Sequence, residues 1–348
     1  MLLLDFINVG YGDAILARDT AAPYTMLVDC GDIDVGNGGP GSHRVSAAEY
    51  LRREGIQNLD LLVLTHLHRD HVGGLLEVLQ QVTVKEVWTN YLPPEPFWGT
   101  EIPVEEGISA GPLCLLQSLN IYLSALKKLK SQGTLISLQT KSGREQKLTD
   151  GLSVVQHAAN DTSQRRQSEI LSSVLCGHPK ENLLHELDCF INNTSLRLCL
   201  SYGNRRIELP GDIYAACWET YDLTPCDVLK LPHHGHGDSL TPRLLEMLHP
   251  AYAIISVSNS RKDRCPNPGI LQMLQEAGSK IYFTDAVRVD GQENPNHSAL
   301  RFGFSHDGTL EIQDVIQTCG KEIINREHEE NVDAIAHAAH LRDVCAST

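Results

Sequence analysis

The feature that most constrains this chain is the run Thr65-His66-Leu67-His68-Arg69-Asp70-His71-Val72-Gly73-Gly74. It follows Asp60 to Leu64, an apolar stretch bounded by turn residues and short enough to be a buried strand. It precedes Val72 to Gln81, which reads as a helix. A tight strand-to-helix turn folds alternate residues around one point, and imidazole and carboxylate are the ligands that suit Zn²⁺, Mn²⁺ or Fe. The plain alternative, a solvated polar loop, leaves three histidines and an aspartate within six residues unexplained.

Two later segments end apolar strands in potential ligands. They are Leu209-Pro210-Gly211-Asp212 and Lys230-Leu231-Pro232-His233-His234-Gly235-His236-Gly237-Asp238-Ser239. Alone, Gly-Asp is a turn signal and the histidine pair a surface loop. Beside the first cluster they read as one site, because rigid strands aim side chains from distant sequence at a common point.

The flanking sequence supplies a scaffold. Residues 1–9 and 25–29 read as strands around the turn Val9-Gly10-Tyr11-Gly12-Asp13, and residues 44–54 as a helix capped by Ser42 and stopped by Gly55. Strand-like runs recur at 84–88, 195–201, 206–209, 227–231, 252–257, 280–284, 298–305 and 309–312, with helices between several of them. Two β-rich halves with helices outside predict an α/β chain built as a four-layer αββα sandwich. Residues 90–135, rich in Pro, Gly and aromatics before a leucine-striped helix over 112–132, read as a lid-like insertion covering the site. Residues 158–188 read as an irregular loop, and residues 318–348 as a helical tail appended to a domain spanning 1–317.

Composition matters where it excludes. A net charge of −15 disfavours a nonspecific nucleic-acid surface. No apolar run reaches the roughly 18 residues of a membrane span, and Asp5 interrupts the apolar start where a secretory leader would continue, so residues 1–9 are read as a strand. Ten cysteines without a C-x-x-C pair read as reduced thiols of a cytoplasmic protein.

Five motifs together resemble the metallo-β-lactamase superfamily: Gly10-Tyr11-Gly12-Asp13-Ala14, Val28-Asp29-Cys30-Gly31, His66-x-His68-x-Asp70-His71, Pro210-Gly211-Asp212 and Pro232-His233-His234-Gly235. More narrowly the chain resembles the hydrolase domain attached to the competence protein ComEC, including Cys265-Pro266-Asn267-Pro268 and Tyr282-x-Thr284-Asp285. The likeness covers about residues 1–315 and none of the membrane-spanning portion of ComEC, so DNA uptake is not carried over. It implies two divalent metals, Zn²⁺ first with Mn²⁺ or Fe as alternatives. His66 and His68 would hold the first metal, Asp70 and His71 the second, and Asp212 would bridge them. One of His233 and His234 would complete the second; His234 is favoured as ligand and His233 as the contact to substrate or leaving group. Asp29 would orient a ligand histidine. Many members of the superfamily supply a further histidine before the Asp212 strand, where this chain has Ile191-Asn192-Asn193-Thr194-Ser195. The first metal is therefore expected to be more open, with Asn193 and Ser195 near substrate or water. His157, His178 and His185 are read as surface histidines rather than replacements.

Such a pair of cations lowers the pKa of a trapped water and polarises the scissile bond. Asp70 would position the water, and His233 or His236 would stabilise charge or protonate the leaving group. The expected substrate is a small-molecule or nucleotide-like phosphodiester. A lactone, thioester or β-lactam needs the same activated water, and a metal-stabilised binding module without catalysis is the alternative of another class. Arg69, Lys230, Arg261, Lys262 and Arg264 read as solvated cations or a phosphate-binding rim, and His297 as a surface loop near that rim. Tail histidines His328, His337 and His340 read as solvated or at an oligomer contact, and Trp88, Tyr91, Phe97 and Trp98 as core or a stacking wall.

Overall fold

The computed structural model describes residues 1–39, 42–178, 180–260, 265–287, 297–317 and 321–329. The first half supplies β1 (Leu2–Ile7), β2 (Ile15–Asp19), β3 (Tyr24–Val28), α1 (Ala47–Arg53), β4 (Asn58–Leu64), α2 (Arg69–Val72), α3 (Leu75–Gln81), β5 (Thr83–Thr89), α4 (Ala110–Ser131) and β6 (Leu135–Leu138). There follow β7 (Gln146–Lys147), β8 (Leu152–His157), α5 (Asp161–Leu175), α6 (Lys180–Asp188), β9 (Arg197–Tyr202), β10 (Arg205–Leu209) and α7 (Ala215–Trp218). The chain continues through β11 (Val228–Lys230), α8 (Pro242–Leu248), β12 (Tyr252–Ile255), α9 (Pro268–Glu276), β13 (Lys280–Phe283), β14 (Ala299–Phe304), β15 (Leu310–Gln317) and β16 (Lys321–Glu329).

Among the described residues the strands form two sheets, ordered β16-β15-β14-β1-β2-β3-β4-β5-β6 and β13-β12-β11-β10-β9-β8-β7. Each is antiparallel on one side and parallel on the other: β3 to β6 in the first and β10 to β13 in the second run parallel. Strands buried on both faces read as continuous apolar runs, and alternate residues then serve different layers. In β4, Leu61 and Val63 enter the core between the sheets, packing with Leu198, Ile207 and Phe302. Leu62 and Leu64 enter the core beneath α1, α3 and α4. A third core joins the second sheet to α7, α8 and α9 through Trp218, Leu244 and Leu274. The result is the αββα sandwich expected. No helix of the described residues is long and apolar enough to cross a membrane.

Four expectations are corrected. Residues 158–188 are not a loop: Asn160 caps α5 by accepting from the Ser163 N–H at 2.9 Å, and α6 follows. The buried stripe of α5 includes Gln164 and Gln167 beside Ile170, Leu171 and Val174, and those amides disguise its period. Residues 321–329 pair antiparallel with β15 instead of forming a helix, and residues 330–348, with His337 and His340, lie outside the described residues. The helix expected from residue 44 starts at Ala47 under the Ser46 cap, while the Ser42 hydroxyl donates to Asp285 at 2.7 Å. The leucines of α4 are buried against α3 and α6, so this segment is part of the outer helical layer rather than a loose cover. Trp88 and Tyr91 are core, and no stacking wall forms from them.

Candidate metal centre

The parallel strands of both sheets end at the same edge, and ligands in α/β proteins gather beyond such carboxyl ends. Asp29 follows β3, His66 follows β4, Asp212 follows β10, and His233 and His234 follow β11. Gly211 takes φ +62° in the turn into Asp212, and a Cβ there would lie 2.9 Å from Ser195 and 3.1 Å from Thr65. The turn therefore needs glycine to bring Asp212 against the first sheet.

Asp70, His71, Asp212 and His234 place one ligand atom each within 4.8 Å of one another. His234 Nε2 is 2.9 Å from Asp70 Oδ2 and 3.2 Å from Asp212 Oδ2; His71 Nε2 is 3.2 Å from Asp212 Oδ2 and 3.7 Å from Asp70 Oδ2. Ligands about 2.0–2.2 Å from a tetrahedral metal stand about 3.3–3.6 Å apart, so these spacings fit a four-coordinate ion. Beside them His66 Nε2 lies 3.1 Å from His68 Nδ1, and the His66 and His71 rings are 4.1 Å apart.

The second nitrogen of every one of these rings is already engaged, which fixes its tautomer. His71 Nδ1 donates to Asp29 at 2.8 Å, His234 Nδ1 to the Ser256 carbonyl at 2.8 Å, and His66 Nδ1 to the Thr65 hydroxyl at 3.1 Å. His68 Nε2 faces Asp188 at 3.4 Å. What remains is Nε2 of His66, His71 and His234 and Nδ1 of His68, all turned toward the cluster. Burial, then His71 and His68, holds His66 well below the usual imidazole range, in the neutral state a ligand requires. Burial works against His234 charging, yet Asp212 and Asp70 push it up to about 10. The facing carboxylates thus create a potential that favours a cation at this point. Asp13, Asp29 and His71 also converge, but Asp29 is bonded to Thr65 and His71, and Asp13 to Lys230.

The structure separates His233 from His234. Both adopt left-handed backbone, φ 47° and 52°, and this kink buries His234 while leaving His233 partly exposed. His233 Nδ1 bonds Asp238 at 2.7 Å, its ring stacks on His236 at 4.5 Å, and His236 Nε2 meets the Tyr11 hydroxyl at 3.2 Å. Ser195 and Asn193 act on backbone: the Ser195 hydroxyl accepts from the Asp212 N–H at 3.1 Å, and the Asn193 side-chain Oδ1 accepts from the Tyr214 N–H at 3.2 Å.

Other candidates fall away from the cluster. His178 and His185 are exposed, and His157, at the end of β8, is pushed down to about 4 by burial, Arg197 and Arg206. His297 is neither surface nor rim: it is 1% exposed and bonds Asp314 at 2.7 Å, because it leads into β14 beneath β15. Lys230 is 1% exposed and no part of a rim; Arg69 pairs with Asp32 at 2.8 Å, while Arg261, Lys262 and Arg264 lie outside the described residues. Two participants went unread in the sequence. Arg44 binds Asp285 at 2.7 Å and Asn259 at 2.6 Å, joining the two halves beside the site, and Asp188 closes α6 against His68. Nothing in residue type or spacing announced either one.

The chain is 24% identical over 295 residues to ComE operon protein 3 of Bacillus subtilis (strain 168); the match covers 81% of this chain and 32% of that protein's length. Among solved structures it is similar to a diphosphatase of the PhnP family, with 14% identity, TM-score 0.40, and coverage of 87% of this chain and 98% of the other. It is also similar to the metallo-beta-lactamase fold protein YhfI from Bacillus subtilis, with 11% identity, TM-score 0.42, and coverage of 81% and 96%. Residues 25–153 match the Metallo-beta-lactamase superfamily, and this stretch holds β3, the histidine turn and the layer around them. The candidate metal-binding cluster, at the meeting point of the two sheets, takes Asp70 and His71 from this matched stretch.

Proposed function

We propose that the chain is a metal-dependent hydrolase of phosphodiesters, with two divalent ions, Zn²⁺ first and Mn²⁺ or Fe as substitutes. The observation that carries this reading is the pairing of a complete four-ligand cluster with an adjacent two-histidine pair. Asp70, His71, Asp212 and His234 would hold one ion, and His66 and His68 with Asp212 the other. Bound there, such ions polarise a phosphoryl oxygen and acidify water. Among the described residues no histidine from another segment reaches the two-histidine position, and an anionic phosphodiester would bring oxygens of its own to that place. Asp70, 16% exposed at the edge of the cluster, orients the attacking water. Asp238 occupies His233 Nδ1, which leaves Nε2 to donate a proton to the departing oxygen. His236, held by Tyr11, lines the same mouth.

The test is hydrolysis of bis-p-nitrophenyl phosphate beside a lactone and a thioester, with metal content measured, in wild type and Asp212→Ala. Metals supply several kcal/mol of transition-state stabilisation, so the variant should lose roughly 10³-fold or more. Turnover of the lactone or thioester alone would move the reading to carbon-centred hydrolysis. Bound metal without turnover of any ester would leave a binding module.

A further inference from the structure

The most unusual group near the cluster is an ammonium. Lys230 closes β11, a strand of otherwise apolar residues, and is 1% exposed. A lysine this deep survives only when its donors are met. Its Nζ contacts Asp13 Oδ2, lies 3.2 Å from Asp212 Oδ1 and 3.5 Å from the Gly211 carbonyl. Asp13 is itself 2% exposed, on a loop tied to the histidine turn: its N–H donates to the Asp70 carbonyl at 3.1 Å, and its carbonyl accepts from the Gly31 N–H at 2.8 Å. Gly12, at φ +137°, allows that approach, since a Cβ there would stand 2.3 Å from the Asp70 carbonyl oxygen.

The consequence falls on Asp212. Its Oδ1 receives Lys230 at 3.2 Å and the His233 N–H at 2.9 Å, while Oδ2 faces His71 and His234, each at 3.2 Å. We infer that Lys230, braced by Asp13, is a positioning residue that restricts Asp212 to one oxygen, Oδ2, as its donor to the metal centre. A carboxylate is otherwise free to swing and chelate through both oxygens. With Oδ1 occupied by a fixed cation, Asp212 would present a single donor, so that Asp70, His71, Asp212 and His234 would supply four protein donor atoms and no fifth. Lys230 acts through Asp212 and touches no substrate. This inference rests on the metal reading above.

The readout is the visible spectrum of the Co²⁺-loaded protein, in which four-coordinate cobalt absorbs far more strongly than five- or six-coordinate cobalt. Lys230→Met alone would bury Asp13 uncompensated, so the main variant is the charge-balanced pair Lys230→Met with Asp13→Leu. Asp13→Asn, which keeps an acceptor beside the lysine, serves if the pair does not fold. Wild type, with one donor from each of the four residues, should give the more intense spectrum. The double variant should lose most of that intensity at full cobalt loading, and Asp13→Asn should move the same way by less. An unchanged spectrum in a folded variant that binds cobalt would overturn the role of Lys230 while leaving the metal reading intact. Failure of wild type to bind cobalt would overturn both.

Discussion

The two halves of the centre are built by the same turn yet finished differently. Asp70 and His71 leave that turn to meet Asp212 and His234 from the second sheet, which closes a set of four. His66 and His68 leave it to meet each other at 3.1 Å, with Asp188 behind His68 at 3.4 Å, and among the described residues no histidine from another segment joins them. Both ligands from the second sheet are fully enclosed, whereas Asp188 is 40% exposed at the end of α6. The contrast teaches that, on the proposed metal reading, affinity would be set by what the opposite sheet delivers, because rigid strands aim side chains from distant sequence at one point. One position should bind tightly, and its neighbour should bind weakly and remain open to substrate.

The largest expected effect is on stability, and it asks whether the asymmetry is local. Asp5 is fully buried in β1 and receives Arg301 at 2.5 and 2.7 Å, Arg18 at 2.7 Å and Tyr50 at 3.0 Å. Asp5→Ala leaves Glu54, 3.1 Å from Arg18 and 3.2 Å from Arg301, as the carboxylate still facing those cations, and should cost about 3 kcal/mol in denaturant unfolding. The ratio of tight to weak metal affinity should stay as in wild type; a changed ratio would make the asymmetry a property of global packing. Burial raises the Asp5 pKa, but Arg301 and Arg18 outweigh it and hold the carboxyl below its usual value. The contribution is therefore complete above an unfolded-state value of about 3.9 and is lost as pH falls below it toward the folded-state value. Unfolding followed from pH 6 to pH 2 should show that loss in wild type and little of it in Asp5→Ala.

A smaller pair of effects sharpens the contrast. Asp29→Asn removes the carboxylate that fixes His71 and should weaken the tight position roughly 10–100-fold. Asp188→Asn should weaken only the other position, by about tenfold or less, because Asp188 itself is 40% exposed. Metal titrations of both variants check this, and equal effects on both positions would blur the distinction.

Much of this was legible in the sequence because the signals were local. His66, His68, Asp70 and His71 announce themselves within one turn, and apolar runs ending in Asp212 and in the His233-His234 pair mark the opposite side. The choice between His233 and His234 was not legible, since adjacent residues of one type are separated only by the left-handed kink that buries the second. Lys230 was read as a solvated cation or part of a phosphate-binding rim, although a lysine within Val228-Leu229-Lys230-Leu231 is itself a sign of a buried partner. That partner, Asp13, lies far away in sequence and was masked by its glycine turn. The helices of 158–188 were hidden by buried amides, and the last strand by its polar composition, which only pairing with β15 turns into structure.

The most direct test of the account is a Zn²⁺ titration of metal-free protein by calorimetry, repeated on His234→Ala and His68→Ala. Two separable steps are predicted, one tight and one weak, with His234→Ala removing the tight step and His68→Ala only the weak one. Two equal steps in wild type, or a tight step that survives His234→Ala, would contradict it.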